Sequence, residues 1–219
     1  MNDLLILDHL RARQNDHYSR IYGVVVGEVT DNQDPDKLGR VQVKFPWLAD
    51  DHTSAWARIA CPMAGPDRGF FFLPEVHDEV LIAFEHGRVE SPFVVGSLYN
   101  GKDKPPGDNG DGKNNLRSLT SRSGHTITLD DTDGKEQIKI VDKGGTESIV
   151  FDVAEKAITI TAKNNVTIES TDGKVILKGA QGIEITSDKG PGTLKVKDKL
   201  DVEAGGEATI KGSMVNLNP

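Results

Sequence analysis

The stretch YGVVVGEVTDNQDPDKLGRVQVKFPW (22–47) sets the pattern for the first half of the chain. It begins with a valine-rich run, and β-branched residues favour strands. The segment NQDPDKLG (32–39) then combines Asn, Asp, Pro and Gly, the residues that turns prefer. After the turn, Val41, Val43 and Phe45 alternate with polar residues, as in a strand with one buried face. The stretch therefore predicts two strands joined by a turn.

Three further runs in the first half have the same character. They are SAWARIAC (54–61), DEVLIAFEHG (78–87) and SPFVVGSLYNG (91–101). Each is short and is bounded by turn residues, as strands are. About five strands within roughly 80 residues, with no helical period between them, are typical of a small barrel or sandwich. We place this barrel at residues 20–100.

Two segments flank the predicted barrel. Residues 1–19 hold the only helical pattern and predict a docking segment. Its partial apolar face includes Leu4, Leu5 and Leu7. Residues 101–115, GKDKPPGDNGDGKNN, contain no large apolar side chain and predict a linker.

The rest of the chain, residues 116–219, repeats a short apolar pair. Pairs such as Ile149/Phe151 recur from Ile149 to Ile183 in steps of 9, 8, 9 and 8 residues, with turn residues between them. One such strand cannot bury its apolar face alone, whereas stacked strands form a continuous core.

A narrow prism shared among several chains suits these units better than a one-chain β-helix, because the core offers mostly β-branched residues and one aromatic. We predict an intertwined homo-oligomeric β-prism, on the order of 50 Å long for about eleven strands at ~4.8 Å spacing. The predicted axial residues are Ile149, Phe151, Ile158, Ile160, Val166, Ile168, Val175, Leu177, Ile183 and Ile185.

Composition excludes several classes of protein. Of the 12 aromatic residues, 11 lie at or before Tyr99 and only Phe151 follows. The first half therefore has the large side chains of an ordinary core, and the second half nearly lacks them. No apolar stretch approaches the ~18 residues of a transmembrane helix, and the N-terminus lacks the features of a Sec signal peptide. The single cysteine, Cys61, excludes a disulfide framework. The net charge of −8 argues against a nucleic-acid binder.

Three strings in the first half carry a family resemblance. They are D-P-x-x-x-G-R-V-x-V from Asp34, G-x-x-x-x-P-E-x-x-D-E-V-L-x-x-F-x-x-G from Gly69, and P-x-V-x-G-x-L-Y-N from Pro92. With them, residues 22–106 resemble the OB-fold domain of the phage baseplate assembly protein V and type VI secretion spike (VgrG) family. The tail, 116–219, is similar to the triple-stranded β-helix that follows the OB domain in that family.

The resemblance implies an all-β protein, in which a five-stranded OB barrel is followed by an intertwined, trimeric triple-stranded β-helix. It implies a homotrimeric central spike of a contractile injection system, assembled in the cytoplasm into a phage-tail-like particle. Contraction of the sheath would drive the spike through a target envelope. Such a protein acts mechanically, so neither enzymatic activity nor a cofactor is expected.

Partner contacts also follow from the resemblance. Only residues 1–19 precede the barrel, so the hub is expected to be a separate protein on the N-terminal side. The leading leucines are assigned to this hub or subunit contact. A PAAR-type tip protein is expected at the C-terminus. The residues assigned to the tip contact are Met214, Val215, Asn216 and Leu217.

Three adjacent aromatic residues, Phe70, Phe71 and Phe72, strain a purely local explanation. Three neighbours along an extended chain cannot all face one core. We predict that they contact another subunit or the hub, since exposed apolar patches mark contacts. The alternative is a local core combined with a loop contact.

Other candidate sites have plainer explanations. The carboxylates in 130–134 resemble a loose calcium loop, but they lack the EF-hand ligand order, and an Asp-Gly turn explains them. Ser121, Ser123 and His125 share one strand face, yet a catalytic triad also needs an acid and an oxyanion hole. We therefore predict no catalytic residue and no metal site.

Two other functions stay open on the sequence alone. An OB-fold protein that binds single-stranded nucleic acid needs a basic groove with aromatic side chains. A polysaccharide-binding or polysaccharide-degrading β-helix needs a larger coil and a convergent acid pair or calcium site.

Overall fold

The protein is built almost entirely of β-strands in the computed structural model, which describes residues 20–47 and 53–216. In those residues the helical exception is one 3₁₀ turn at Glu85–Gly87. None of the helical structure described there is long and apolar enough to cross a membrane. The chain separates into two units, residues 1–163 and 164–219. The predicted all-β class is confirmed.

The strands described in the first unit form two five-stranded sheets and one short hairpin. They are β1 (Val25–Asp31), β2 (Gln42–Lys44), β3 (Arg58–Ile59), β4 (Ala64–Gly65), β5 (Arg68–Gly69), β6 (Glu79–Phe84), β7 (Pro92–Ser97), β8 (Leu116–Thr120), β9 (Thr126–Asp130), β10 (Gln137–Val141), β11 (Ser148–Asp152) and β12 (Ala157–Thr161). The first sheet has the order β2-β1-β6-β7-β3, the second the order β12-β11-β10-β9-β8, and the hairpin is β4–β5.

The first sheet curls until its two edge strands meet. Val41, directly before β2, exchanges two backbone hydrogen bonds with Ala57, directly before β3. The Val41 N–H donates to the Ala57 carbonyl at 3.1 Å, and the Ala57 N–H donates to the Val41 carbonyl at 2.7 Å. β3 in turn pairs in parallel with β7. Five strands that close on themselves in this way form an OB-type barrel, as predicted.

Apolar side chains from all the long strands fill the inside of this barrel. In β6 every second residue is buried, as expected for a strand with one inward face. The core residues are Val29, Val41, Val43, Phe45, Ala57, Val80, Ile82, Phe84 and Val94. The inward alternation predicted after the 32–39 turn is therefore confirmed.

Gly27, in β1, lies against this core. A Cβ atom at that position would lie 3.3 Å from Ile82 Cγ1 and 3.3 Å from Val43 Cβ. A glycine inside a strand often marks such a close approach. The glycine in the valine run thus lets the core side chains of β2 and β6 pack against the backbone of β1.

We expect Ile82→Ala to lower the free energy of unfolding of the barrel by about 3 kcal/mol, because the fully buried side chain leaves a cavity when it is shortened. Urea unfolding followed by tryptophan fluorescence measures this loss. Leu81→Ala is the matched control, since Leu81 is its half-buried neighbour on the other face of β6. Equal losses in the two variants would contradict the assigned inward face.

One carboxylate holds the turn at 32–39. Asp34 accepts backbone N–H bonds from Asp36, Leu38 and Arg40 at 3.1, 3.0 and 3.3 Å. The Arg40 guanidinium donates two more bonds to it, at 2.8 and 2.7 Å. Asp34 and Arg40 both belong to the first string that carries the family resemblance. Their hydrogen bonds explain why that string contains an aspartate and an arginine at these positions.

The hydrogen bonds from Arg40, followed by those from the loop backbone, hold the pKa of Asp34 far below its ordinary value. A lowered folded-state pKa contributes stability above the ordinary aspartate pKa, near ~4, and loses it as the pH falls towards the folded value. We expect Asp34→Asn to be less heat-stable than the wild type at pH 7, with the difference shrinking steadily below pH ~4. Thermal melts at stepped pH test this, and a difference that stays constant down to pH 2 would contradict it.

The second sheet is a simple meander in which each strand pairs with its sequence neighbour. All four pairings are antiparallel and in continuous register. Asp142 organises one of the connecting loops, because its carboxylate accepts N–H bonds from Gly144, Thr146 and Glu147 at 2.7, 2.7 and 2.8 Å. These bonds lower the pKa of Asp142.

The second unit carries the apolar alternation without forming strands of its own. In the part that the structure describes, 164–216, no residue belongs to a strand and every residue is exposed. The strands predicted for this stretch are therefore not formed within a single chain.

Candidate assembly surfaces

The meander presents one apolar face, which we call the ladder face. Residues directly opposite each other in antiparallel strands point to the same side of a sheet. Two rows of such partners cross all five strands. The first row is Leu119, Ile127, Ile140, Ile149 and Ile160, and the second is Arg117, Leu129, Ile138, Phe151 and Ile158. The apolar members are 36–66% exposed, so the single chain leaves this face uncovered.

The opposite face of the meander is polar. The row through its centre is Ser118, Thr128, Lys139, Val150 and Thr159. Lys139 extends its ammonium group to 3.8 Å from Asp130 on this side of the sheet. The meander thus has two different faces. The polar face is suited to contact with water, and the ladder face is suited to contact with an apolar partner.

Four of the predicted axial residues lie together on the ladder face: Ile149, Phe151, Ile158 and Ile160. The other six lie in the second unit and are exposed there. These six are Val166, Ile168, Val175, Leu177, Ile183 and Ile185. Their axial role stays a prediction, because the structure describes one chain.

A second apolar surface surrounds the three phenylalanines, which all lie outside the barrel core and are 52–78% exposed. Phe70 and Phe72 stack with their ring centroids 6.3 Å apart, whereas Phe71 Cε2 lies against Gly39. The expectation that they contact another molecule is not tested by a single chain. They follow the β4–β5 hairpin, whose two short strands pair Ala64 with Gly69 and Gly65 with Arg68.

The remaining predicted contacts fall at the ends of the chain. Met214, Val215 and Asn216 are exposed. Leu217 and the leading Leu4, Leu5 and Leu7 lie outside the described residues.

The carboxylates of the suggested calcium loop already have partners. Asp130 accepts bonds from the Thr132 N–H and hydroxyl at 3.1 and 2.6 Å, which lower its pKa. Asp131 pairs with Arg117 at 2.7 Å. Among the described residues, no three His, Cys, Asp or Glu side chains are placed to hold a metal ion.

The Ser121–Ser123–His125 group is likewise committed to loop structure. Nδ1 of the His125 ring accepts a hydrogen bond from the Lys143 backbone N–H at 3.2 Å. The backbone N–H of His125 donates to the Ser121 hydroxyl at 3.0 Å. In this geometry the ring's Nδ1 is not available to take a proton from either serine.

Several residues of these surfaces were missed by the sequence analysis. Leu119 belongs to the ladder face, but it stands alone in LRSLT because Arg117 occupies the position of its pair. Lys37 and Arg58 line the groove beside the phenylalanines. Lys37 is 33 residues and Arg58 is 12 residues before Phe70, and no local pattern in the sequence shows that the three line one groove.

Comparison with known proteins agrees with this architecture. Residues 25–99 match the family described as the type VI secretion system/phage-baseplate injector OB domain. The match begins with β1 and ends just after β7, so it covers the barrel described above.

Three relatives illustrate the similarity. The type VI secretion system spike protein VgrG5 of Pseudomonas aeruginosa is 33% identical over 130 residues, which are 58% of this chain and 16% of the relative. VgrG1b of the same organism is 28% identical over 150 residues, 66% of this chain and 19% of the relative. The actin cross-linking toxin VgrG1 of Vibrio cholerae is 31% identical over 111 residues, 47% of this chain and 10% of the relative.

The chain thus spans less than a fifth of the length of these curated relatives. The alignments with all three are longer than the 75 residues of the barrel match, so the similarity is not confined to the barrel. The barrel of this chain is therefore similar to the type VI secretion system/phage-baseplate injector OB domain, and the chain is similar to VgrG spike proteins over the aligned stretches.

Proposed function

We propose that the chain is a structural spike component of a contractile injection system, and that it works as a homotrimer which pierces the target envelope when the sheath contracts. The observation that carries this proposal is the ladder face, together with the exposed apolar alternation in the sequence of residues 164–216. Its family relatives are named as spike proteins.

The ladder face supports association with further copies of the same chain. A soluble monomer rarely exposes a contiguous apolar patch of more than a few hundred Å². Here nine Ile, Leu and Phe side chains in two neighbouring rows are exposed across five strands, and the apolar alternation continues in the sequence beyond β12. Identical chains have identical apolar rows, so packing around a common axis buries all of them at once. The number three comes from the resemblance to the spike family.

The second unit adds a separate reason. Buried or structured backbone N–H and C=O groups need hydrogen-bond partners. In residues 164–216 as described, side chains alternate as in strands, yet no backbone–backbone hydrogen bond joins two of these residues. Strands from other copies would supply these partners, and this supports an intertwined tail.

The proposed role is mechanical. A prism with paired backbone groups and an apolar axis resists bending, and polar outward residues keep it soluble. The name of the Vibrio relative describes a toxin, but the aligned part is 10% of that protein. We propose that this chain transmits force and performs no chemical reaction.

We also propose its partners and its place. Baseplate or hub proteins would contact the barrel side, and a PAAR-type protein would cap the end near Met214 and Val215, both of which are exposed. Assembly would take place in the cytoplasm, within a phage-tail-like particle. The similarity to baseplate-injector domains supports the baseplate association.

Sedimentation equilibrium of the purified chain tests the copy number. We expect a mass three times the 23.8 kDa of one chain, independent of concentration over the micromolar range. A single species at the mass of one chain would overturn the trimeric spike. A dimer would overturn the copy number while leaving an assembled ladder face.

A further inference from the structure

The groove beside the three phenylalanines, which we call the phenylalanine groove, is an apolar surface that the proposed spike role does not use. It has a volume of about 840 Å³ and lies between the barrel wall and the loop that carries the aromatic rings. Ile59 and Val94, on the parallel β3–β7 pair, form part of its floor. Phe70 and Phe72, stacked on each other, form part of one wall.

The rim of this groove is more basic than the protein as a whole. Lys37 and Arg58 line it, together with the single acid Asp67. Both cations are exposed, and the Arg58 guanidinium lies 4.5 Å from the centroid of the Phe93 ring. In a chain of net charge −8, an apolar groove with two cations favours an apolar segment that carries acids.

The chain contains such a segment before its first described residue. Residues 3–8 read DLLILD, four large apolar residues with an aspartate on either side. The apolar residues need burial as much as the phenylalanines do. The leading apolar segment and the three phenylalanines were each predicted to contact a partner. The segment and the phenylalanine groove are complementary to each other in both polarity and charge.

The connection is long enough for the segment to reach the groove. The described chain starts at the barrel, where the Ile21 N–H donates to the Gly87 carbonyl at 2.9 Å. Sixteen residues separate Leu5 from Ile21 and can span about 53 Å when extended. A domain of about 80 residues is roughly 30 Å across, so the tether reaches any face of the barrel. A tethered segment also has a high effective concentration at its site.

We propose that the segment Asp3–Asp8 occupies the phenylalanine groove of its own chain, with its apolar residues against Phe70 and Phe72 and its aspartates near Lys37 and Arg58. The inference concerns one chain and does not rest on the trimeric spike role. It leaves hub contacts to other surfaces of the barrel.

The single native cysteine provides a direct test. Cys61 lines the groove and is half-buried there, with its thiol 3.2 Å from the Met63 carbonyl. In a Leu5→Cys variant of the full chain, mild oxidation should form a disulfide with Cys61 inside one chain. Peptide mapping and non-reducing gels identify it, because no other thiol is present. Gln14→Cys, on the same tether but outside the segment, is the control and should form little.

A second measurement needs no engineered cysteine. We expect Leu5→Asp to speed alkylation of Cys61 about tenfold, the factor for a groove that is filled in nine chains of ten. The matched Leu10→Asp should leave the rate unchanged. Equal rates in wild type and both variants, or equal crosslinking of Leu5→Cys and Gln14→Cys, would overturn the proposal. A disulfide that joins two chains would also overturn it, in favour of exchange between copies.

Discussion

The Ile158→Asp chain is expected to sediment as a monomer under conditions where the wild type is a trimer. Ile158 is on the ladder face, in the edge strand β12, opposite Phe151. In a trimer packed through this face, three carboxylates would be buried in apolar surroundings without partners. Removing one partner from a buried charge pair costs about 3–5 kcal/mol, and an unpaired buried charge is comparable. A trimer would carry three such costs, which oppose its assembly through this face.

Thr159→Asp is a closely matched control for this change. Thr159 is the next residue of the same edge strand, and it faces the polar side of the meander in the row of Lys139 and Val150. Its carboxylate would stay in water, so the trimer should persist. If both variants remain trimeric, the ladder face is not the interface. If both become monomeric, the edge of β12 is what matters and the face assignment is wrong.

Removing the second unit is expected to abolish resistance to SDS. Unboiled full-length protein should migrate as a trimer, whereas a chain that ends at Lys163 should migrate as a monomer. The reason lies in how the tail satisfies its backbone. The described part of 164–216 makes no strand within the chain, so in the assembly its hydrogen bonds would run between chains. A strand that is hydrogen-bonded to one neighbouring strand on each side cannot leave without breaking the hydrogen bonds on both sides.

Full-length Thr167→Asp is the control for the shortened chain. Thr167 stands between the predicted axial residues Val166 and Ile168, so it points outward in a strand. It should keep the SDS-resistant band. A shortened chain that still resists SDS would locate the tightly held contacts in the barrel or the meander. If the unboiled full-length chain migrates as a monomer, the proposal of an intertwined tail is contradicted.

The barrel could be predicted from local patterns because its strands are marked locally. Val41, Val43 and Phe45 alternate directly after a turn-rich segment, and all three are in the core. The strand expected at 54–61 was wrong in length, since β3 is only Arg58–Ile59 and Ala57 contributes a bridge. Short strands in a closing barrel are set by their partners, here Val41 and β7, and sequence patterns do not show partners.

The assembly surfaces were predictable in part. The apolar alternation predicted which residues share one face, and the strand register places four of them together there: Ile149, Phe151, Ile158 and Ile160. The phenylalanine groove was not predictable, because no local pattern in the sequence shows that Lys37, Arg58 and Phe70 line one groove.

Spacing explains why the tail does not continue the meander. Successive strands of the meander begin 10, 11, 11 and 9 residues apart, which leaves room for five-residue strands and capped loops. The apolar pairs from Ile158 to Ile183 recur after 8 or 9 residues, at or below the shortest spacing in the meander, which leaves less room for the same strand and loop.

The local pairing of the meander also bears on the order of folding in the proposed spike. β8 to β12 pair only with sequence neighbours, so this sheet can form early within one chain. The tail must wait for an encounter between chains, which depends on concentration. A one-residue slip in strand register turns every side chain to the wrong face. Three sheets that meet through their rows of isoleucine would align the chains before the tails begin to wind, so the meander would act as the starting point from which winding proceeds in one direction.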